Sequence, residues 1–367
     1  MRFIPGGPDI PEELIIARDK GDVVFFCGAG VSQQAASLPN FNRLAQQVID
    51  KLGSARKSPA RQLFETAKSI AEAPGSAIPG IGSLVATDRI FGLLEREFWP
   101  HDVRHAVAEA LRPQDGYRLD AHCTMLDLAT DQTGVVRLVT TNFDRLFQEC
   151  RAGLPQHTPP RLPDPLDERE FRGIVHLHGC VDEHYGQAFG DEFVISSADF
   201  GRAYLSDGWA TRFMRKLLSR FCVVFVGFTA DDPPIQYLLE ALHLKSGGES
   251  RLYAFHYGSP DDATELWQHR GVTAISCNSF DVLWGSLDKW AERARDEDSW
   301  YGDVLKTATH GPEQLDRAKR SMVVKLLSTA QGARKFATAD NPPDARWLLV
   351  ADPAKRYAAP SFKVPHD

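Results

Sequence analysis

The sequence predicts an α/β fold: a Rossmann-like parallel sheet with helices on both faces, a helical insert and a C-terminal helical extension. Two observations carry this prediction. Short apolar runs rich in Val, Ile and Phe alternate with helical patterns, which is typical of parallel strands joined by crossover helices. Each run ends in Gly, Asn or another small or polar residue. The predicted strands span residues 22–28, 135–142, 173–179, 222–228, 251–257 and 272–277.

Helical periodicity dominates the stretch between the first two strands, where apolar residues recur every three or four positions from about residue 45 to 132. The segment 153–170 carries five prolines, so we expect an irregular loop there, of the kind often found as a lid. A further apolar stripe on a helical pattern consists of Leu315, Ala318, Met322, Leu326 and Ala330. We therefore expect a sheet domain over residues 1–290, followed over 291–367 by a helical linker and the start of a further C-terminal region.

Composition and charge place the chain among ordinary globular proteins, with 43% hydrophobic and 25% charged residues in 367. The formal net charge of -7 does not indicate the excess of basic residues that direct nucleic-acid binding requires. The six cysteines form no Cys-x-x-Cys pair, which argues against a four-cysteine zinc site and against a disulfide framework. No apolar run approaches the ~18 residues of a membrane span, so the sequence predicts a soluble, cytoplasmic protein.

The first predicted strand leads into the glycine-rich turn Gly28-Ala29-Gly30. Glycine lets the backbone turn sharply and approach a phosphate, and the helix that follows would present free N–H groups. The dinucleotide fingerprint is incomplete, because its third glycine is replaced by Gln33 and no acidic residue ends a second strand at the usual spacing. The turn alone is equally consistent with a nucleotide-binding site and with a purely structural turn. The incomplete fingerprint argues against an ordinary NAD-dependent dehydrogenase.

Polar side chains follow three other predicted strands. Asn142 and Asp144 come after the second strand, and His178 lies at the end of the third. The fourth strand is followed by Gly227, Thr229 and the pair Asp231 and Asp232. Because ligands of such sheets gather at the carboxyl ends of the strands, we expect these groups to converge on one crevice with the glycine-rich turn.

Five short motifs, in order between about residues 22 and 290, resemble those of the sirtuin family. They are Gly28–Ser32, Pro39–Asn42, Thr140–Asp144, His178-Gly179 and Val226–Thr229. Residues 183–217 contain no cysteine, whereas deacylating sirtuins carry a four-cysteine zinc module after the His-Gly motif. The chain therefore looks more like the sirtuin-like domains of bacterial antiphage defence proteins, which hydrolyse NAD+ instead of using it to deacylate a protein.

This resemblance implies that NAD+ is the substrate and that no metal is required. His178 would be the general base, since an ordinary histidine pKa of ~6.5 suits proton transfer near neutrality. Asn142 would hold a water or a ribose hydroxyl, and Asp144 would bind the carboxamide or the ribose. The NAD-binding residues implied are Gly28, Ala29, Gly30, Ser32, Phe41, Thr141, Gly227, Thr229 and Asp232.

Structural alternatives stay open for these side chains. Asn142 and Asp144 could cap the helix that follows them, and the aspartate pair after the fourth strand could do the same. His178 could be a strand histidine bonded to a backbone carbonyl. His176, His178 and Cys180 alternate along one strand and could form a metal triad, although no fourth ligand is spaced nearby.

The sequence thus predicts an NAD+ glycohydrolase that releases nicotinamide and ADP-ribose, acting in antiphage defence by NAD+ depletion and abortive infection. The alternatives are an NAD-dependent protein deacylase and a non-catalytic module that senses NAD or ADP-ribose. A free NADase would kill its host, so we expect restraint through a homo-oligomer and through a C-terminal sensor domain or partner protein that recognises a phage component. We expect no membrane partner.

Overall fold

The computed structural model describes residues 1–72, 87–189, 193–229 and 251–351, together with Leu239. The chain forms two compact units. One runs from Ile16 to Ser276, and the other combines Met1–Ile15 with the chain from Cys277 onward.

A sheet of seven strands lies at the centre of the first unit. The strands of the described residues are β1 (Val23–Cys27), β2 (Arg137–Thr140), β3 (Gln156–His157), β4 (Gly173–His176), β5 (Cys180–Val181), β6 (Ala188–Phe189), β7 (Cys222–Val226), β8 (Leu252–Tyr257) and β9 (Thr273–Cys277). The sheet has the order β3-β4-β2-β1-β7-β8-β9, and β5 pairs separately with β6. The pairs β1–β2, β1–β7, β2–β4, β3–β4 and β7–β8 are parallel. The predicted Rossmann-like α/β fold is confirmed, and so are its six strands.

The register of the sheet brings four strand ends to one level. Cys27, the last residue of β1, is opposite Thr140 of β2 on one side and Val226 of β7 on the other. Thr140 is in turn opposite His176, the last residue of β4. The segments that leave these four neighbouring strands therefore start side by side at the carboxyl edge of the sheet.

Helices connect the strands, and the predicted helical insert between the first two strands is present as several helices. In the first unit and at its start, the helices are α1 (Glu12–Asp19), α2 (Ala29–Ala36), α3 (Phe41–Lys51), α4 (Pro59–Glu72), α5 (Thr87–Glu97), α6 (Pro100–Ala110), α7 (Asp120–Leu128), α8 (Leu146–Cys150), α9 (Ser197–Gly201), a π-helical turn (Arg202–Ser206), α10 (Trp209–Arg220) and α11 (Pro260–Gln268). Residues 73–86 of the predicted insert lie outside the described residues.

Two hydrophobic clusters hold the first unit together. Val24 and Phe26 of the fully buried strand β1 pack with Phe213 and Leu217 of α10 in the larger cluster. Alternate residues of a strand point to the same face, so these two apolar side chains face the same helix. The second cluster joins the insert helices through Leu44, Val48, Phe91, Leu94, Val103 and Val107. Burial of these apolar faces accounts for the helical periodicity of the insert.

Two regions depart from the predictions. The proline-rich segment, predicted as a loop throughout, contains the short edge strand β3, whose Gln156 and His157 pair with Ile174 and Val175. A two-residue strand at the sheet edge needs few donors, so neighbouring prolines do not prevent it. The single C-terminal stripe is divided between two helices, because the first ends at Leu327 and Thr329 caps the second by accepting the N–H of Gly332.

The second unit is mostly helical over its described residues from 280 onward. Its helices are α12 (Phe280–Arg295), α13 (Glu297–Ala308), a 3-10 turn (Pro312–Gln314), α14 (Arg317–Leu327), α15 (Ala330–Ala337) and α16 (Trp347–Ala351). Tyr301, Val304, Leu326 and Trp347 are among the buried side chains of its core.

A disulfide joins Cys123 of α7 to Cys150 of α8. The two residues are 27 positions apart, and the fold brings their Cα atoms to 5.7 Å. Spacing along the chain gave no sign of this pair, and a single bridge is not the disulfide framework against which the sequence argued. Among the described helices, none combines the length and the apolar character that crossing a bilayer requires.

Candidate functional site

A cleft opens at the carboxyl edge of the sheet, with about 80 Å³ open to the centres of water-sized molecules. Its walls are mostly apolar, with a small number of polar side chains. It is lined by Ala29, Ser32, Leu38, Pro39, Asn40, Phe41, Leu44, Leu111, Thr141, Asn142, Phe143, Asp144, His178, Val194, Phe200 and Phe228. Seven of the twelve residues predicted for the site are therefore in its lining: Ala29, Ser32, Phe41, Thr141, Asn142, Asp144 and His178.

The remaining five predicted residues are placed differently. Gly28, Gly30 and Gly227 belong to the contact between the β1 and β7 loops and are not among the lining residues. Thr229 is exposed just after that contact. Asp232 lies outside the described residues.

The glycines of the β1 loop are required by the fold itself. A Cβ on Gly30 would stand 2.8 Å from the Cα of Gly227, and one on Gly28 would stand 2.6 Å from the ring of Phe228. Gly227 has φ +75°, which favours glycine, and a Cβ there would be 2.7 Å from the nitrogen of Val31. The Gly30 N–H donates to the Gly227 carbonyl at 2.9 Å and is therefore not free for a phosphate.

A buried polar network surrounds Ser32 on the floor of the cleft. Its hydroxyl donates to Asp144 Oδ2 at 2.7 Å and accepts from Asn142 Nδ2 at 3.0 Å. The Nε2 atom of His122 lies 3.0 Å from the same hydroxyl oxygen. Because the single hydroxyl proton goes to Asp144, His122 must be the donor in this bond and carries its proton on Nε2.

His122 was not predicted as a site residue. It is fully buried on α7, 90 positions after Ser32 in the sequence, and no local motif marks it. Burial lowers the pKa of His122 to about 4, so the ring is neutral near pH 7. Its Nδ1 atom is buried without a hydrogen-bond partner among the described residues. A histidine at the start of a helix is a weak sequence signal, and only the fold connects it to Ser32.

Asn142 and Asp144 have defined orientations. Asn142 uses both amide hydrogens, donating to the Gly28 carbonyl at 3.1 Å and to Ser32, which leaves its Oδ1 atom as the acceptor for a ligand. Asp144 Oδ1 accepts the N–H of Leu146, the first residue of α8, at 3.1 Å. Asp144 therefore satisfies one N–H at the start of α8 although the N-cap position is Arg145, and the Asn142 side chain bonds elsewhere. Burial raises the pKa of Asp144.

His176 supports this arrangement from within the sheet. Its Nδ1 atom lies 3.1 Å from the Asn142 carbonyl, and its Nε2 atom contacts the side-chain amide of Gln148. The Cys180 thiol donates to the Asp144 carbonyl at 3.5 Å. His176 and Cys180 thus bond to protein groups, and the metal triad considered from the sequence is not assembled within the described residues.

His178 follows β4 and is only 1% exposed, although it lines the cleft. Its Nε2 atom lies 2.8 Å from the hydroxyl of Tyr204, a residue that no motif indicated. Burial lowers the pKa of His178 to about 3, so the near-neutral titration expected of a general base is wrong for this environment. The ring is neutral at physiological pH.

Phe41 and Thr141 complete the predicted set. Phe41 begins α3, where the side chain of Asn40 caps the helix, and its ring stacks on Phe91 at 5.2 Å. The Thr141 N–H donates to the Cys27 carbonyl at 3.2 Å, which joins the ends of β1 and β2. The cleft therefore has a rigid polar floor and aromatic walls.

One family model matches part of the chain. Residues 136–275 match the model described as SIR2-like domain. The matched span contains Asn142, Asp144 and His178 and begins after the β1 loop.

The chain also resembles particular proteins. It is 31% identical over 371 residues to the uncharacterized protein y4cA of Sinorhizobium fredii (strain NBRC 101917 / NGR234), covering 95% of this chain and 29% of that protein. The chain thus spans less than a third of this relative. The crystal structure of a Sir2 homolog–NAD complex aligns with a TM-score of 0.39 and 14% identity, over 79% of this chain and 96% of that one.

Proposed function

We propose that the chain is an NAD+ glycohydrolase. Such an enzyme hydrolyses NAD+ with one water and releases nicotinamide, ADP-ribose and a proton. The observation that carries the proposal is the convergence of Asn142, Asp144 and His178 with Ser32 in one apolar cleft at the edge of the sheet. The match to the SIR2-like domain model supports NAD+ as the substrate, because proteins with the sirtuin motifs use this dinucleotide.

The reaction needs little acid or base chemistry. The bond between ribose C1′ and the nicotinamide nitrogen breaks, and its electron pair neutralises the pyridinium ring. Positive charge develops on the ribose as this happens, so the site must stabilise a cation and direct a water to C1′. Once its oxygen bonds to C1′, that water is strongly acidic and loses its proton to solvent.

The polar floor of the cleft suits these needs. The carboxyl of Asp144 is held by Ser32 and by the Leu146 N–H, so its orientation is fixed in advance, as the stabilisation of a developing charge requires. Oδ1 of Asn142 can accept a hydrogen bond from the attacking water or from a ribose hydroxyl. In low-dielectric surroundings, such preorganised groups stabilise charge more strongly than they would in water.

The apolar walls support a small planar leaving group. Phe41, Phe143 and Phe228 line the cleft beside the polar floor. Aromatic and aliphatic walls bind a nicotinamide ring through the apolar surface that they bury, and they exclude water other than the attacking molecule.

Incubation of the chain with NAD+, followed by chromatography of nicotinamide and ADP-ribose, tests the proposal. We expect Asn142→Ala to reduce cleavage by about 100-fold, because the water and ribose lose an oriented acceptor. Asn278→Ala removes an exposed asparagine outside the cleft and is the matched control. Cleavage that requires an acylated peptide would identify a deacylase instead. Tight NAD+ binding without turnover in any assembly state would identify a sensing module.

We further propose that this activity is an effector of antiphage defence that acts by depleting NAD+ and is restrained until triggered. The support is the resemblance to sirtuin-like defence domains, together with the harm that unrestrained NAD+ loss does to a cell. Restraint predicts faster NAD+ cleavage after assembly into an oligomer or after binding of a phage component. Equal turnover by the isolated chain with and without such a trigger would contradict it.

A further inference from the structure

Two aromatic side chains that no motif indicated enclose His178. The Tyr204 hydroxyl lies 2.8 Å from Nε2 of His178. Phe200 meets the imidazole edge to face, with centroids 5.2 Å apart, and stacks on Tyr204 at 6.0 Å. The imidazole is thus held by one hydrogen bond and two ring contacts.

The backbone that carries Tyr204 is itself fixed. Ser196 and Asp199 form a reciprocal capping box at the start of α9. Phe200 and Tyr204 are four positions apart across the junction with the π-helical turn, so both rings face His178. Thr211 of α10 donates its hydroxyl to the Tyr204 carbonyl at 2.8 Å. Single π-helical turns of this kind occur frequently at functional sites.

The direction of the Tyr204–His178 bond follows from basicity. Burial keeps both side chains neutral near pH 7, since it lowers the pKa of His178 to about 3 and raises that of Tyr204. A neutral imidazole nitrogen is a stronger acceptor than a phenol oxygen, so the tyrosine hydroxyl is the donor. A neutral imidazole carries one proton, and with Nε2 accepting, that proton is on Nδ1.

We propose that Tyr204 is a positioning residue whose hydroxyl donates to Nε2 of His178, so that His178 presents Nδ1–H and acts in the cleft as a hydrogen-bond donor. Its target is an oxygen of the substrate, a ribose hydroxyl in the reaction proposed above, on which this role rests. His178 would then hold the ribose in place while C1′ reacts, and it would not remove a proton. The general-base role expected from the sequence is replaced by a binding role.

Nuclear magnetic resonance of the chain labelled with ¹⁵N-histidine tests the tautomer. The His178 signals are assigned by their loss in His178→Gln. We expect a protonated Nδ1 and an unprotonated Nε2 in the native chain. In Tyr204→Phe, which keeps the ring and removes the donor, we expect a shift toward the Nε2–H form that free imidazoles prefer. A native Nε2–H form, or the same tautomer in both proteins, would overturn the proposal.

Kinetics test the positioning role in whichever assembly state cleaves NAD+. We expect Tyr204→Phe to lower kcat about tenfold with little change in KM, as loss of a group that orients a histidine does. Tyr185→Phe is the matched control, because Tyr185 is also buried but its hydroxyl contacts Glu149. Unchanged or faster cleavage in Tyr204→Phe would refute positioning.

The two experiments separate the proposals. A native chain that shows the Nδ1–H tautomer but never cleaves NAD+ contradicts the glycohydrolase and leaves the bond established. A chain that cleaves NAD+ while His178 is in the Nε2–H form contradicts the Tyr204 proposal alone.

Discussion

Ser32 is the residue on which most of the polar floor depends. One hydroxyl serves Asp144, Asn142 and His122 at once, with every donor and acceptor of the oxygen in use. The hydroxyl therefore sets the orientation of two proposed ligand-binding side chains while it lies only 2% exposed. Such fully bonded buried networks are costly to break, because each partner left alone keeps its desolvation penalty.

Replacing Ser32 by Ala is expected to lower the free energy of unfolding by about 1–3 kcal/mol, since Asn142 and His122 lose their shared acceptor. Urea denaturation measures the change. Ser299→Ala, at an exposed helix position, serves as the control and should stay within about 0.5 kcal/mol of the native chain. Equal stability of the two variants would mean that the Ser32 bonds are not formed in solution.

Residue by residue, the sequence identified the polar groups that stand directly after strands. Asn142, Asp144 and His178 were predicted because a parallel sheet brings strand ends together. His122 and Tyr204 were not, because each reaches the site from a helix with no sequence spacing that points to it. Burial also changed the expected chemistry of His178, and burial is a property of the fold that no local motif reports.

The loops that follow β1 and β7 pack against each other at the carboxyl edge of the sheet, where Ala29 and Phe228 line the cleft. Gly28, Gly30 and Gly227 let the two backbones touch, and a hydrogen bond from Gly30 to Gly227 closes the contact. From the sequence, these glycines were predicted to bind the phosphates of a nucleotide. In the structure, these glycines allow two loops of the protein to approach each other closely. Packing between the loops is therefore enough to explain why glycine stands at these positions.

Gly30→Ala is expected to destabilise the chain by about 1–3 kcal/mol, because the added methyl group overlaps the Gly227 backbone. Thermal or urea unfolding gives the value. Gly302→Ala is the control: its Cβ would meet nothing within 4 Å, and alanine within α13 should stabilise by about 0.5–1 kcal/mol. A Gly30 variant as stable as the native chain would show that the loops separate easily.

At the level of elements, long periodic segments were predictable and short ones were not. The central strands and the insert helices each contain many apolar residues that follow the expected period. A single residue that departs from the period does not hide the pattern. The strands β3, β5 and β6 have two residues each, too few for a period to be visible. The break at Ser328 and Thr329 lies within a continuous apolar stripe, and capping by the Thr329 hydroxyl decides it.

At the scale of the whole molecule, three histidines among the described residues are buried and neutral, and this gives the stability a dependence on pH. Burial lowers the pKa of His122 and His176 to about 4 and that of His178 to about 3. In the unfolded chain these groups bind protons near their ordinary pKa of ~6.5. Their contribution to stability is therefore complete above pH ~6.5 and is lost as the pH falls toward 4. The raised pKa of Asp144 acts in the opposite direction as the pH rises above its ordinary value of 3.8.

Between pH 6 and 4.5, we expect the free energy of unfolding to fall, by up to about 1.4 kcal/mol per pH unit for each proton taken up. His178→Gln should reduce the proton uptake on unfolding by about one, and hence the slope. Urea titrations at several pH values measure both. Identical slopes for the native chain and His178→Gln would show that His178 is not buried as a neutral ring.

The second compact unit is discontinuous in sequence, since its first fifteen residues are separated from the rest by the entire sheet unit. Phe3 packs against Trp290, with ring centroids 6.1 Å apart, and Ile10 is fully buried. At synthesis rates of roughly 5–20 residues per second, Phe3 leaves the ribosome tens of seconds before its partner exists. The sheet unit can fold during that interval, whereas the amino-terminal segment must remain unpaired. Completion of the helical unit is consequently a late step in the synthesis and folding of this protein. Until then, the apolar residues of the amino-terminal segment are exposed and can bind a chaperone.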